Sequence, residues 1–558
     1  MNFFLKYINE DKNLLKIFIF IAVFLSITKI PSIINADMQP WDEGLYATRV
    51  LSIHVNGDFW DQSNHSVGKF YSASHPPLLI WVGYIFTLIF GIHSFTLKII
   101  PFIASLICIL LLMLIGRKID NLRTGVFAAL IFSSNIIFNV FSKRFQFDIP
   151  FVMLLLTAFL LFLKYTESRK KSQLILLGVI FGLSLMVKIL VGFFIPMVIF
   201  FYFVATYKKP DFNIKDFLIF VSIGIVIALP WHIYMIAVHG KEFLDYFFMY
   251  HIIDRAFVGV EQNIKSSGPL YYLNYLLSIL PYGFLFFFSI FEDFKKRITL
   301  HKYDIFLYVW FLTGLLIITL FKTKLESYSL FILIPSSIII ARIILKFREY
   351  SFRTKIISSI ILLFNILWVI SYPDRNINFS YVLHNTDNSL IIFIFAFLIS
   401  LGLLIYFSKK RNYSNLLYAL IFIYFLTINI YYIFKIPEWE NNYKLSECKT
   451  LIDKSGKTHI YYIGNLGTDY KYNAQFSFYF RGIDLGWKYD NYKYTFCDTK
   501  YGMDSIKKSL QEINPEESTI IIEKNNINRD DSINSSLFIP DNFKLIKKTN
   551  GYEIYQKY

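Results

Sequence analysis

The chain of 558 residues is 55% hydrophobic and 19% aromatic, with only 17% charged residues and a mean hydropathy of +0.48. Those proportions exclude a single soluble core and match polytopic membrane proteins. The formal charge of +16 does not point to nucleic acid, because the basic residues come in short clusters between apolar runs, the pattern that orients membrane proteins.

Residues 14–34 are too long and start too late for a cleaved leader and read as a retained first span. The polar loop that follows, 35–94, carries Asp37, Asp42, Glu43, Asp58 and Asp61. Ionised carboxylates at that density are excluded from hydrocarbon, so the loop faces water. Within it Asp42-Glu43 opens a helix in which Tyr46, Ala47, Val50, Leu51 and Ile53 recur at helical spacing. The bland reading makes Asp42 an N-cap and Glu43 a partner of the helix dipole; the functional one makes the acid a general base at the membrane surface, where the helix is expected to lie. Lys69 and Ser74-His75-Pro76-Pro77 end the loop, the prolines favouring extended chain before the next apolar run.

Further apolar runs are 77–92, 95–115, 126–141, 149–163, 174–187, 189–206, 217–236, 271–291, 305–321, 328–345, 356–372, 390–407 and 416–434. With the N-terminus cytoplasmic and 77–92 kept as a juxtamembrane or re-entrant segment, clusters such as Arg117/Lys118/Arg123, Lys164/Arg169/Lys170/Lys171 and Lys346/Arg348/Arg353/Lys355 fall inside. If 77–92 crossed, they would fall outside, against the positive-inside rule, so about thirteen spans are predicted. The first loop, the turn 142–148, the loop 239–269, the turn 322–327 and the tail from 437 then share the outer face.

Three of those outer segments carry chemistry. Arg144 and Asp148 occupy the turn 142–148, where snorkelling cations and a helix-start Asp are the plain alternative. His251 and Arg255 stand at i, i+4 on an expected aromatic-rich surface helix, which puts a possible metal ligand and a cation on one face. Lys322 and Lys324 form a basic turn on the side that should be poor in basic residues, and a cation kept there suits an anion such as a lipid phosphate.

The chain is divided into a membrane domain, 1–436, and a small α/β extracytoplasmic domain, 437–558. In the latter, 459–463, 475–480, 519–523 and 543–558 read as strands, the last turned at Asn550-Gly551, and 504–513 reads as a helix. Cys448 and Cys497 could pair in an extracytoplasmic tail, whereas Cys108 lies in an apolar run.

Taken together, W-D-E-G-L-Y-A, S-H-P-P-L, R-F-Q-F-D-I-P, F-L-D-Y-F-F-M-Y-H-I-I-D-R-A-F and K-T-K-L-E-S-Y-S-L-F-I-L-I-P resemble the GT-C superfamily of integral-membrane glycosyltransferases. The nearest branch holds the lipid A aminoarabinose transferases and the protein O-mannosyltransferases. Two departures stand out: Ser74-His75 replaces the Glu-Lys that the aminoarabinose transferases carry before the proline, and Leu45 stands where they have an Arg.

The resemblance implies a mainly α, GT-C-like fold in a multi-pass protein of the bacterial cytoplasmic membrane. It implies an inverting hexosyl or pentosyl transfer, in lipopolysaccharide or protein glycosylation of the cell envelope. The donor would be a polyprenyl-phosphate-linked sugar, and the acceptor a lipid, glycan or protein. Asp42, Glu43 and Asp148 would form the catalytic set, with Asp42 as base. His75, Arg255, Lys324, Lys69 and Arg144 would meet the donor phosphate. A divalent metal ion, with His251 as ligand, is an open alternative to metal-free chemistry. Two other classes stay open: a transporter or lipid flippase, which predicts charged residues in mid-span and broken helices, and a non-catalytic envelope assembly protein, in which the loop carboxylates would be dispensable.

Overall fold

The computed structural model describes residues 11–207, 211–259, 271, 272, 286, 301–346, 413–434, 444–464, 473–488, 492–499, 502–523, 539–549 and 551–557. In chain order the helices are α1 (Leu14–Asn35), α2 (Asp42–Asn56), α3 (Leu78–Phe90), α4 (Ser94–Ile119), α5 (Leu122–Ser133), α6 (Ile136–Phe141), α7 (Asp148–Ser168), α8 (Lys171–Val187), α9 (Ile189–Gly192), α10 (Phe194–Ala205) and α11 (Ile214–Leu244). A π-helix follows at Asp245–Val258, then α12 (Lys302–Leu320), α13 (Leu330–Lys346), α14 (Tyr413–Phe434) and α15 (Leu445–Ser455). The tail adds β1 (His459–Gly464), α16 (Ala474–Tyr479), β2 (Lys493–Asp498), α17 (Gly502–Gln511), β3 (Ser518–Glu523), β4 (Phe543–Lys548) and β5 (Tyr552–Lys557).

The chain forms two compact units. One comprises Met1–Pro31, Pro101–Lys143 and Phe147–Lys435; the other comprises Ser32–Ile100, Arg144–Gln146 and Ile436–Tyr558. The second unit therefore joins the first polar loop to the C-terminal tail, an association across more than three hundred residues that no local pattern announces.

Six helical stretches among the described residues are long and apolar enough to cross a membrane: Leu14–Asn35, Ser94–Ile119, Asp148–Ser168, Ile214–Val258, Lys302–Leu320 and Glu326–Lys346. The chain is a polytopic membrane protein of mainly α structure. The expected spans 356–372 and 390–407, and most of 271–291, lie outside the described residues. Two runs read as single spans are broken. The run 126–141 divides between α5 and α6 because the Asn135 side chain accepts from the Ile137 amide at 2.9 Å and starts a new helix. The run 189–206 divides at Phe193 into α9 and α10.

In the first unit α8 lies directly on α11. A Cβ added at Gly178 would come within 2.7 Å of Ile223, and one at Gly182 within 2.7 Å of Ile227. Such small residues one turn apart let helix backbones approach in lipid, where burial of apolar surface supplies no net attraction between helices. Aromatic rings fill the space between α7, α10 and α12: Phe159 meets Phe194, Phe306 and Trp310 at 6.5, 5.3 and 4.6 Å between ring centroids.

The second unit is built on a five-stranded sheet of order β2-β1-β3-β5-β4. β1 runs parallel to β2 and to β3, while β5 is antiparallel to β3 and to β4. Apolar clusters cover both faces. Leu445, Cys448, Ile452, Ile460, Tyr462, Phe476 and Phe480 belong to one, and Tyr461, Ile463, Cys497, Ile506 and Leu510 to the other. Cys448 and Cys497 thus belong to the clusters on opposite faces of the sheet, and both are buried free thiols. The pairing that the sequence left open is therefore not made.

One strand assignment is also overturned. Residues 475–480 alternate apolar and polar like a strand but form α16. The Asn473 side chain accepts from the amides of Gln475 at 3.0 Å and Phe476 at 3.1 Å, which starts a helix turn. That turn stacks Phe476 on Phe480 at i, i+4, with ring centroids 4.4 Å apart. The expected strands 459–463 and 519–523, the final two-stranded ribbon and the helix near 504–513 are all present. β2 and α15 were not expected.

Candidate active site

In the second unit α2 starts with Asp42, and Trp41 rather than Asp42 occupies the N-cap, with no side-chain cap bond. Asp42 is exposed. Every residue from Glu43 to Ile53 is buried, so α2 is enclosed by its neighbours instead of resting half exposed on a surface. Glu43 has 0% exposure. Its Oε1 accepts from the Phe145 amide at 2.7 Å and its Oε2 from the Gln39 amide at 3.1 Å, and the Lys98 ammonium stands 3.3 Å from Oε2. The two acids of the pair therefore part company: one faces outward and its neighbour ties three chain segments together.

Arg49, on the same helix, is 1% exposed. Its fork donates to Gln62 Oε1 at 2.9 Å, to the Ser72 carbonyl at 2.9 Å and to the His75 carbonyl at 3.0 Å. Burial pushes the guanidinium down to about 10. It fastens the loop that bears Lys69 and His75 to the helix that bears Asp42. Lys69 is exposed and has φ 49 and ψ −120, a conformation that costs a non-glycine residue about 1–3 kcal/mol and persists only where the surroundings impose it. The half-buried His75 ring meets the Tyr46 ring edge-on at 5.9 Å. Arg144 is half-buried, and its carbonyl accepts from the Gln146 amide at 2.7 Å, which tightens the turn that presents the Phe145 amide.

In the first unit Asp148 begins α7, and its Oδ1 lies 3.2 Å from the ammonium of Lys188. Lys188 sits in the extended residue between α8 and α9, with φ −155 and ψ 93. Its nitrogen stands 5.5 Å from the centre of the Tyr328 ring, and the Arg255 guanidinium lies within electrostatic reach. The interruption of a long apolar run at a lysine was the available signal.

Arg255 closes the π-helix in place of the expected α-helix. Its carbonyl accepts from the Thr323 amide at 3.0 Å, and the Ala256 carbonyl accepts from the Lys322 amide at 3.0 Å. The basic turn is thereby stitched to the end of the π-helix. Lys324 is 5% exposed and donates to the carbonyls of Ile318 at 2.9 Å and Thr319 at 2.6 Å, closing the C-terminus of α12. Burial lowers its pKa, and two of the three ammonium hydrogens serve these carbonyls.

The first unit therefore brings Asp148, Lys188 and Arg255 near one another, while the Lys324 ammonium is engaged by the Ile318 and Thr319 carbonyls and lies 5.5 Å from the centre of the Tyr272 ring. The second unit brings Asp42, Glu43 and Arg49 together with the His75 loop. His251 is half-buried in the π-helix, one turn before Arg255, with its ring edge-on to Tyr250 at 5.1 Å. Among the described residues no group of three His, Cys, Asp or Glu side chains is placed to hold a metal ion.

A family model described as dolichyl-phosphate-mannose-protein mannosyltransferase matches residues 74–234. The chain is 25% identical over 307 residues to an uncharacterized protein of Aquifex aeolicus. It is 30% identical over 273 residues to the undecaprenyl phosphate-alpha-4-amino-4-deoxy-L-arabinose arabinosyl transferase of Yersinia pestis. The matched stretches span 57% and 48% of those relatives, about half their length. In fold the chain is similar to ArnT from Cupriavidus metallidurans bound to undecaprenyl phosphate, with a TM-score of 0.66 at 15% identity and coverage of 98% of each chain. The chain thus has the fold of that GT-C-type transferase, and its sequence is similar to the aminoarabinose transferases and, over residues 74–234, to the protein mannosyltransferase family.

Proposed function

We propose that the chain transfers a monosaccharide, with inversion, from a polyprenyl-phosphate carrier to a hydroxyl group of an acceptor at the outer face of the cytoplasmic membrane. The observation that carries this reading is the exposure of Asp42 at the head of a helix whose next residues, Glu43 to Ile53, are all buried. An acid held so firmly from behind and open in front suits a general base. Relatives that use undecaprenyl phosphate in their names, and the solved ArnT with undecaprenyl phosphate bound, support the lipid-linked donor.

In the proposed step Asp42 takes the proton of the acceptor hydroxyl as that oxygen attacks the anomeric carbon. The bond from that carbon to the phosphate oxygen breaks, and polyprenyl phosphate leaves with the electron pair. Preorganised cations stabilise the charge that develops on the leaving phosphate. The candidates for that part are Arg255 and Lys324 in the first unit, and Lys69, His75 and Arg144 in the second. Asp148 holds Lys188 by its ion pair, and Glu43 acts as a positioning residue, since its carboxylate oxygens are engaged by two amides and Lys98.

The test compares envelope lipids, glycans and proteins by mass spectrometry in cells with the intact chain, without it, and with Asp42→Asn. A sugar modification lost in the second strain should stay lost in the third while the variant accumulates normally in the membrane. Undiminished modification by Asp42→Asn would remove Asp42 as base.

A further inference from the structure

We infer that the C-terminal α/β domain is a working part of the transfer site, positioning the Asp42 helix through α16 and the start of α15. This rests on the reading of Asp42 as base. The contacts all lie within the second unit. A Cβ on Gly44, two residues after Asp42, would stand 2.7 Å from the Ala474 backbone carbon and 2.8 Å from the Gln475 nitrogen. Backbone therefore meets backbone, and no side chain larger than hydrogen fits between α2 and α16. One turn on, the Thr48 hydroxyl, which donates to the Gly44 carbonyl at 2.8 Å, also lies 3.3 Å from the Ala474 carbonyl.

The approach to α2 is held by the same domain. The Tyr479 hydroxyl accepts from the Met38 amide at 3.1 Å and also meets Asp37 and Ser94. The Asp37 carboxylate accepts from the Ser446 amide at 2.9 Å and from the Ser446 hydroxyl. Asp37 thus caps the first turn of α15, and the segment 37–38 is clamped between α15 and α16 just before Asp42.

α16 is itself fixed to the sheet. The Asn473 amide donates to Glu523 at 3.0 Å and to the Tyr552 hydroxyl at 2.8 Å, while Glu523 also accepts from Tyr462. A buried polar network of this kind, satisfied at each of these bonds, is rigid. Sheet, α16 and α2 form one unbroken chain of contacts that ends two residues from the proposed base. A base displaced by as little as about 1 Å forfeits much of its effect, so the domain sets the rate of transfer without touching the carrier.

The test uses the full chain in membranes, with Tyr479→Phe and Thr48→Val as the gentle variants and Gly44→Ala as the severe one. Tyr492→Phe serves as control, because Tyr492 bonds the exposed Asp453 elsewhere in the same domain. The measured quantities are the initial rate of the modification lost with Asp42→Asn and the affinity for undecaprenyl phosphate. Tyr479→Phe should lower the rate roughly tenfold to a hundredfold, the scale for a slightly misplaced group, with undecaprenyl phosphate affinity, unfolding temperature and the control unaltered. An unchanged rate in both gentle variants, or a fall matched by lost affinity, lost stability or an equal fall in the control, overturns the inference. If Asp42→Asn itself has no effect, it is the proposed function that fails; if Asp42→Asn abolishes the modification and Tyr479→Phe is neutral, the positioning role alone fails.

Discussion

The Lys98 ammonium stands 3.3 Å from the Glu43 carboxylate, and the two residues are 4% and 0% exposed. An enclosed pair of this kind contributes little net stability as a pair, yet it is costly to halve, because the remaining charge is stranded. Lys98→Met should therefore destabilise the second unit by about 3–5 kcal/mol. The double variant Glu43→Gln with Lys98→Met should be clearly less destabilised than the sum of the single changes, since the partners share one interaction. Thermal unfolding in detergent, followed by tryptophan fluorescence, checks this. Additive losses would show that the two groups act independently.

Lys188 pairs with Asp148, faces the Tyr328 ring and lies within electrostatic reach of Arg255. Replacing it with Met should weaken binding of undecaprenyl phosphate roughly tenfold or more, the worth of one hydrogen bond to a charged group. Lys188→Arg should recover part of the loss. Titration of the purified protein with undecaprenyl phosphate decides the matter, and equal affinity in Lys188→Met would place this lysine outside the phosphate contacts.

Asp484 gives the second unit a pH dependence. Burial pushes its carboxyl from 3.8 up to about 7, against the opposing hydrogen bond that Ser477 donates at 2.5 Å. The native state then holds a proton that the unfolded chain releases as pH rises above 3.8, so this contribution is complete below 3.8 and is lost as pH climbs to about 7. Asp484→Asn should flatten the fall of unfolding temperature between pH 5 and pH 7.5 and leave the variant the more stable of the two at the upper end. An identical slope in both proteins would assign the pH dependence to other groups.

Cys448 and Cys497 should be silent in the folded protein. Cys448 and Cys497 are buried, and burial pushes their thiols to about 12 and about 11. The reactive thiolate is scarce at neutral pH. A maleimide should modify neither until denaturant is added, and oxidised and reduced samples should run alike on a denaturing gel. Rapid labelling of the native protein would contradict the burial of both.

The sequence made the acidic helix start legible because W-D-E-G-L-Y-A combines a charged pair with apolar residues at helical spacing. The membrane character followed from composition alone, and the ribbon of β4 and β5 from alternation about a turn signal. What stayed hidden shares one physical cause, namely that the deciding partner is remote in the chain. Lys98 reads as the start of an apolar run until Glu43 is placed beside it. Gly44 reads as an ordinary helix glycine until the Ala474 backbone is found against it. Residues 475–480 follow strand alternation, and only the Asn473 cap converts them into a helix. Lys188 needed Asp148 and Tyr328 to become more than a break between two spans.

The sheet order leaves β2 and β4 as outer strands. β4 carries exposed Lys544 and Lys548 with Lys547 half-covered, a register shift between Leu545 and Lys547, and Lys493 opens β2. Closely spaced ammonium groups and a kinked rim repel another strand seeking to extend the ladder. Strand-to-strand pairing of two copies through these two rims is thereby disfavoured.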